Sequence, residues 1–164
     1  MEMIDFDFSS VQPIEALHGD SPEDTTLIIN SLAEAENFLL SHRWCKAILK
    51  KYYGNGVGGI VGVFLFEIEP ISADIDKILW VIAGDIPSAY LVTDTAKNPS
   101  LALEEYISIM RDWADAVKSD GCMSNVFPVR VHPSVENAVD LENRLSFLEC
   151  NVLPTWQAGS QKCC

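Results

Sequence analysis

Basic residues are scarce in this sequence. It carries 11 Lys and Arg against 24 Asp and Glu, so its formal net charge is −13 at pH 7. Proteins that bind nucleic acids or anionic membranes use clustered Lys and Arg to contact phosphate groups. The composition therefore argues against both kinds of partner. It favours a basic protein partner, or a negative charge that serves only solubility.

Long apolar runs and metal-site spacings are also missing. No apolar stretch reaches the roughly 18 residues that a membrane helix needs, and the N-terminus lacks the pattern of a signal peptide. The five cysteines include no C-x-x-C pair and have no metal-site spacing to the three histidines. This pattern predicts no metal site and no cofactor, and it favours a reducing cytoplasm. The cysteines are Cys45, Cys122, Cys150, Cys163 and Cys164.

The standard catalytic motifs are absent as well. The sequence contains no G-x-S-x-G, H-E-x-x-H or Walker pattern. Its glycine-rich segment, residues 54–59, is predicted to follow a helix and precede a strand. That order is the reverse of the one that aims helix amides at a phosphate group. These absences favour a binding protein over an enzyme.

The length and hydrophobic content fit one domain. The chain has 164 residues, of which 48% are hydrophobic, and this is enough for a packed core. Residues 1–27 contain seven acids and no Lys or Arg, which predicts an acidic N-terminal arm or an edge strand. We expect a single domain over 28–154 and a flexible tail over 155–164.

The most regular pattern is a pair of short apolar runs in residues 78–94. Gly84-Asp85-Ile86-Pro87 separates them, which is typical of a strand, a tight turn and a second strand. Residues 60–68 are apolar at both alternating positions, as in a strand that is covered on both faces. We therefore expect an α+β fold with an antiparallel sheet of three or more strands. Its central meander is predicted at about 60–68, 78–84 and 89–93.

Three helices are predicted to pack with this sheet. Ser31 and Glu34 have the spacing of a capping box, and apolar residues recur at helical intervals as far as Tyr53. This pattern predicts one bent helix or two short ones. Asn98-Pro99 has the features of a second helix start. The helices are predicted at about 32–53, 99–119 and 134–149.

Two residues are candidates for catalysis. Cys45 lies near basic residues that could lower the pKa of a nucleophilic thiol, or it could be a small buried apolar side chain. Asp85 lies at a strand corner, where a carboxylate could act as an acid or base, or could hydrogen-bond its own turn. A small enzyme with a site around Asp85 and Cys45 is the alternative to a binding protein.

Aromatic residues raise a similar question. Trp80, Tyr90 and Trp113 could line a ligand pocket. Aromatic residues at strand and helix-face positions usually belong to the core, however. The sequence leaves both interpretations open.

Several segments resemble a family of small bacterial cytosolic proteins of unknown function. The shared features are a W-C pair, here Trp44-Cys45, and a W-V-I-x-G-D-[IL]-P-x-x-Y core, here Trp80–Tyr90. With the helix over 98–117 and the L-E-N-R-L segment 141–145, the resemblance covers roughly residues 38 to 148. It implies a single α+β domain and a bacterial origin, and it assigns no catalytic residue. In size and charge the chain is also similar to immunity proteins, which cover a basic toxin domain.

The sequence thus predicts a non-enzymatic, acidic, cytoplasmic binding protein. Its most specific form is a bacterial immunity protein that neutralises a basic toxin domain by occlusion, as in toxin–antitoxin pairs. Acidic side chains would steer the partner and aromatic side chains would anchor it. A homodimer is a further possibility. The predicted partner-binding residues are Asp20, Glu23, Asp24, Glu67, Glu69 and Asp85.

Overall fold

A five-stranded antiparallel sheet dominates the first part of the chain. The strands follow one another across the sheet in chain order. The computed structural model describes residues 6–160. The predicted α+β class and the antiparallel meander are confirmed. The strands are β1 (Gln12–Pro13), β2 (Cys45–Val57), β3 (Val61–Pro70), β4 (Ile78–Gly84) and β5 (Ile86–Val92).

The predicted helix over 32–53 is wrong in both of its boundaries. Helix α1 spans Pro22–Leu40, and the residues from Cys45 onward form β2. Ser21 is the N-cap of α1, because its side chain accepts a hydrogen bond from the Asp24 amide. The predicted capping box therefore lies inside the helix, where Ser31 is buried.

The irregular pairing of β2 with β3 explains why the sequence of this strand was interpreted as a helix. The register shifts after Cys45, after Ile48 and after Tyr53. Each shift changes the face of the sheet to which the following side chains point, so the apolar residues lose the simple alternation of a strand. Three such shifts within 13 residues give the neighbouring apolar residues a helix-like spacing.

The central strands are buried on both faces, as predicted for residues 60–68. On one face Phe64 and Phe66 of β3 pack in a cluster with Leu39 of α1. On the other face Trp80 is fully buried, and its Nε1 donates a hydrogen bond of 2.8 Å to the Ala96 carbonyl oxygen. Trp80 is therefore a core residue whose polar atom is satisfied.

The later part of the chain is helical. The helices predicted at about 99–119 and 134–149 are confirmed, and a π-helical turn at Leu148–Val152 joins the second of them to a short final helix. Arg111 binds both carboxylate oxygens of Glu149, at 2.9 and 3.0 Å. The helices are α2 (Pro99–Lys118), α3 (Val135–Phe147) and α4 (Leu153–Ser160).

Both ends of the chain contain short elements of secondary structure. The flexible tail predicted over 155–164 is helical as far as residue 160, and residues 161–164 lie outside the described part. The proline at position 154 does not stop this helix, which continues directly from the π-helical turn. At the other end, residues 1–5 of the predicted acidic arm lie outside the described part, and Phe8 begins a 3₁₀ turn that precedes the two-residue edge strand β1.

The chain separates into two compact units. The first ends at Ala102 and the second begins at Leu103, within α2. The sequence-based expectation of a single domain over 28–154 stays a prediction. None of the helices in residues 6–160 combines the length and the apolar character of a membrane span.

Candidate functional site

The two predicted catalytic residues lie at opposite ends of the sheet. Cys45 pairs with Pro70 at the last position of β3, whereas Asp85 follows Gly84, which pairs with Val61 at the first position. β3 has ten residues, and at about 3.4 Å per residue its ends are roughly 30 Å apart. The structure therefore does not bring the thiol and the carboxylate into one cleft.

The immediate surroundings of Cys45 are also unlike those of a catalytic thiol. Cys45 is buried, with 5% of its surface exposed, and burial raises the pKa of its thiol. A raised pKa lowers the fraction of reactive thiolate at neutral pH. Asp85 is exposed at the corner between β4 and β5, and its amide donates a hydrogen bond of 3.1 Å to the Ile60 carbonyl.

Asp24, one of the predicted partner-binding acids, has a structural task. Its Oδ1 accepts a hydrogen bond of 2.7 Å from the Gly58 amide, in the turn between β2 and β3. Its Oδ2 accepts one of 2.8 Å from the Asp20 amide, just before α1. The carboxylate thus fastens the start of α1 to a sheet turn.

The other predicted acids do not form one surface patch. Asp20 and Glu23 are exposed near the start of α1, at the same end of the sheet as Asp85. Glu67 and Glu69 lie near the opposite end of β3, where Glu69 pairs with Lys46 at 3.4 Å. The predicted set is therefore divided between the two ends of the sheet.

A groove in the first unit combines aromatic and acidic side chains. Its volume is about 220 Å³. It lies at the end of the sheet where the segment between β3 and β4 passes, and this segment supplies two of its carboxylates. No Lys or Arg belongs to its lining. The lining residues are Trp44, Asp74, Ile75, Asp76, Leu79, Tyr90 and Val92; we call them the aromatic–acidic groove.

The two aromatic rings of the groove are held in a cluster. The centroids of Trp44 and Tyr90 are 5.0 Å apart, and their planes meet at 67°. His42 contacts both rings, with centroid distances of 4.8 Å to Trp44 and 5.3 Å to Tyr90. The His42 Nδ1 lies 2.9 Å from the Phe38 carbonyl at the end of α1. The main chain also fixes Trp44, because its carbonyl accepts a hydrogen bond of 3.0 Å from the Ile71 amide.

The carboxylates of the groove lie on its solvent side. Asp74 and Asp76 are both exposed. The Ser72 hydroxyl donates a hydrogen bond to Asp74 Oδ1. This bond is the main reason why the pKa of Asp74 lies below its usual value. The Ser72 hydroxyl therefore favours the charged form of this carboxylate.

Replacing Ser72 with alanine is expected to raise the pKa of Asp74. The variant lacks the hydroxyl that stabilises the charged carboxylate, so protonation begins at a higher pH. A pH titration of the side-chain carboxyl ¹³C signal of Asp74 measures this change. The Asp112 carboxyl, in the other unit, serves as the reference. An Asp74 titration curve that is identical in both proteins would show that the Ser72 hydroxyl does not act on this carboxylate.

A second cleft is larger but less distinctive. Its volume is about 340 Å³, and it lies along the edge formed by β1 and β2. Its charged lining residues are Glu15, Lys50 and Lys51, so both signs of charge are present. Its lining contains a single aromatic residue, Tyr52. The aromatic–acidic groove is therefore the better candidate for selective binding.

Sequence reasoning found only part of this groove. Tyr90 was one of three residues that could have lined an aromatic pocket, and the other two, Trp80 and Trp113, are core residues with 0% and 2% exposure. Trp44, Asp74 and Asp76 were not predicted as site residues. The available signal was the pair of acids in the connection before β4, close in sequence to a strand that contains apolar and aromatic residues.

A comparison of the chain with protein-family models, with curated proteins and with solved structures finds no match. Within residues 6–160, no three His, Cys, Asp or Glu side chains are grouped so as to hold a metal ion.

Proposed function

We propose that this chain is a non-enzymatic binding protein for a basic protein partner, and that the aromatic–acidic groove is its central contact. The observation that carries this proposal is the meeting of two aromatic rings, Trp44 and Tyr90, with two exposed carboxylates in one cleft. Aromatic faces attract cations through their quadrupole, and carboxylates attract them by charge. A groove with both features and no cation of its own is complementary to a positively charged side chain.

The net charge of the chain supports the same proposal. A formal charge of −13 attracts a basic protein over a distance of about a Debye length and increases the rate of encounter. The exposed acids Asp20, Glu23 and Asp85 contribute to this attraction without touching the groove. In such interfaces distributed charges usually increase the rate of association, and a few central aromatic residues provide most of the binding energy.

In its most specific form the proposal is a bacterial immunity protein in the cytoplasm. It would neutralise a basic toxin domain by covering the surface that the toxin uses. The size of the chain and its negative charge, which are similar to those of immunity proteins, support this form. The alternative, an enzyme that uses Asp85 and Cys45, loses support because the two residues lie roughly 30 Å apart along β3.

Co-expression with the product of the neighbouring reading frame tests this function. We expect a stable complex that native mass spectrometry identifies as one copy of each chain, and growth of cells that the neighbouring protein alone would arrest. The affinity is expected to fall steeply as the salt concentration rises, because exposed charges drive the encounter. A chain that forms only a homodimer, or a complex that is insensitive to salt, would contradict the proposal.

A further inference from the structure

The size of the aromatic–acidic groove limits what it can hold. Clefts that bury a drug-sized ligand have volumes of about 300–1,000 Å³, whereas this groove measures about 220 Å³. It therefore has room for one side chain or one small head group, and not for a nucleotide or a folded peptide segment. A protein partner would place a single residue there.

The shape of the aromatic walls favours a flat cation. The Trp44 and Tyr90 planes meet at 67° with their centroids 5.0 Å apart, so they form a corner and not a closed cage. A planar group can lie against one ring while the edge of the other ring bounds it. The guanidinium group of arginine stacks on aromatic faces in this way, and it sheds its water more easily than the ammonium group of lysine does.

The acidic rim favours the same ligand. None of the described residues donates a hydrogen bond to Asp76, whereas the Asp74 carboxylate accepts one from the Ser72 hydroxyl and one from its own amide. A free carboxylate can accept two parallel N–H donors from one guanidinium group. The ammonium group of lysine is a point charge. It cannot stack flat on a ring, and it does not offer two parallel N–H donors in one plane.

The groove is also formed in advance. His42 lies against both aromatic rings, and its ring centroid is 4.8 Å from that of Phe38. The Ile71 amide donates a hydrogen bond to the Trp44 carbonyl. This bond holds the loop that contains Asp74 and Asp76 next to the start of β2. A pocket that is already shaped loses little conformational entropy when its ligand enters.

We infer that the aromatic–acidic groove receives an arginine side chain of the partner protein, with the guanidinium group stacked against one ring of the Trp44–Tyr90 corner and bound by Asp76. This inference rests on the proposed function and makes it more specific, because it names the residue type that the partner must present. Arginine is also among the residues that most often dominate the binding energy of protein interfaces.

A titration with three small probes tests the inference on the whole chain. The probes are the Nα-acetyl methylamides of arginine, lysine and citrulline, and citrulline is the neutral equivalent of arginine. The readout is the set of indole N–H signals in a ¹H–¹⁵N spectrum, in which the variant W44F identifies the Trp44 signal. We expect a saturable shift of this signal with the arginine probe and at least about threefold weaker binding of the lysine probe. The citrulline probe should cause no saturable shift.

Two variants that each lose one negative charge test where the arginine probe binds. Asp76→Asn is expected to weaken the binding of the arginine probe about fivefold, whereas Asp112→Asn, in the other unit, should leave it unchanged. Equal binding of the lysine and arginine probes would overturn the assignment to arginine and leave the proposed function intact. A partner complex that forms although no probe moves the Trp44 signal would overturn the inference alone. The absence of any complex with a basic partner would overturn the proposed function itself.

Discussion

Replacing Gly84 with alanine is expected to lower the free energy of unfolding by about 3 kcal/mol. Gly84 has a φ of +142° at the corner between β4 and β5, a conformation that residues with a side chain rarely adopt. An added Cβ would lie 2.5 Å from the Ile60 carbonyl oxygen and 3.0 Å from the Val61 Cα. Both atoms belong to the main chain of the neighbouring hairpin, so they cannot move aside as a flexible side chain would.

Gly121→Ala is the matched control for this prediction. The nearest atom to a Cβ there would be the Ser119 Oγ at 3.2 Å, and Gly121 is not in the positive-φ region. We expect its effect to stay within about 0.5 kcal/mol. Urea unfolding of both variants measures the difference. If Gly84→Ala were as stable as Gly121→Ala, the tight corner that aligns β4 with β5 would not have the described conformation.

The second large effect is expected in partner binding. Reversing both groove charges, in the double variant D74K/D76K, should weaken the complex with the basic partner at least about 100-fold, which equals about 2.7 kcal/mol. The reason is local, because the new ammonium groups would lie where a cationic side chain has to enter. Like charges brought together in an interface cost several kcal/mol. Isothermal titration of the purified partner into each variant measures the change.

The double variant D112K/D115K tests whether the loss of affinity depends on where the charges are reversed or only on the total charge. Asp112 and Asp115 are exposed on α2, so this variant changes the net charge by the same amount without altering the groove. We expect it to slow association slightly and to leave the dissociation rate unchanged. Equal losses of affinity in both double variants would mean that only the overall charge matters and that the groove has no special role.

The fold was predictable wherever the apolar pattern was regular. Residues 60–68 are apolar on both faces and form a central strand, and the Gly84-Asp85 corner separates two strands as its turn residues indicate. β2 was not predictable in the same way. Its three register shifts bring apolar residues to adjacent positions, and a pattern based on strict alternation cannot recognise a strand with such irregularities.

The groove was harder to predict than the fold. It is formed by residues from three separate segments: Trp44 before β2, the acids between β3 and β4, and Tyr90 in β5. Their convergence depends on β2 being a strand, because a helix through Cys45 would carry Trp44 in another direction. Asp74 and Asp76 lie in a polar connection, where charged residues are common and give no local signal of their own.

The state of Trp44 in the complex tests the central claim most directly. All four tryptophans lie in the described residues, and Trp44 is the partly exposed one, whereas Trp80, Trp113 and Trp156 are 0%, 2% and 9% exposed. A chain labelled with 5-fluorotryptophan gives four ¹⁹F signals, and W44F identifies that of Trp44. On saturation with the unlabelled partner, we predict that the Trp44 signal moves and loses its H₂O/D₂O solvent shift while the other three signals stay. A complex in which the Trp44 signal keeps its position and its solvent shift would show that the groove is not where the partner binds.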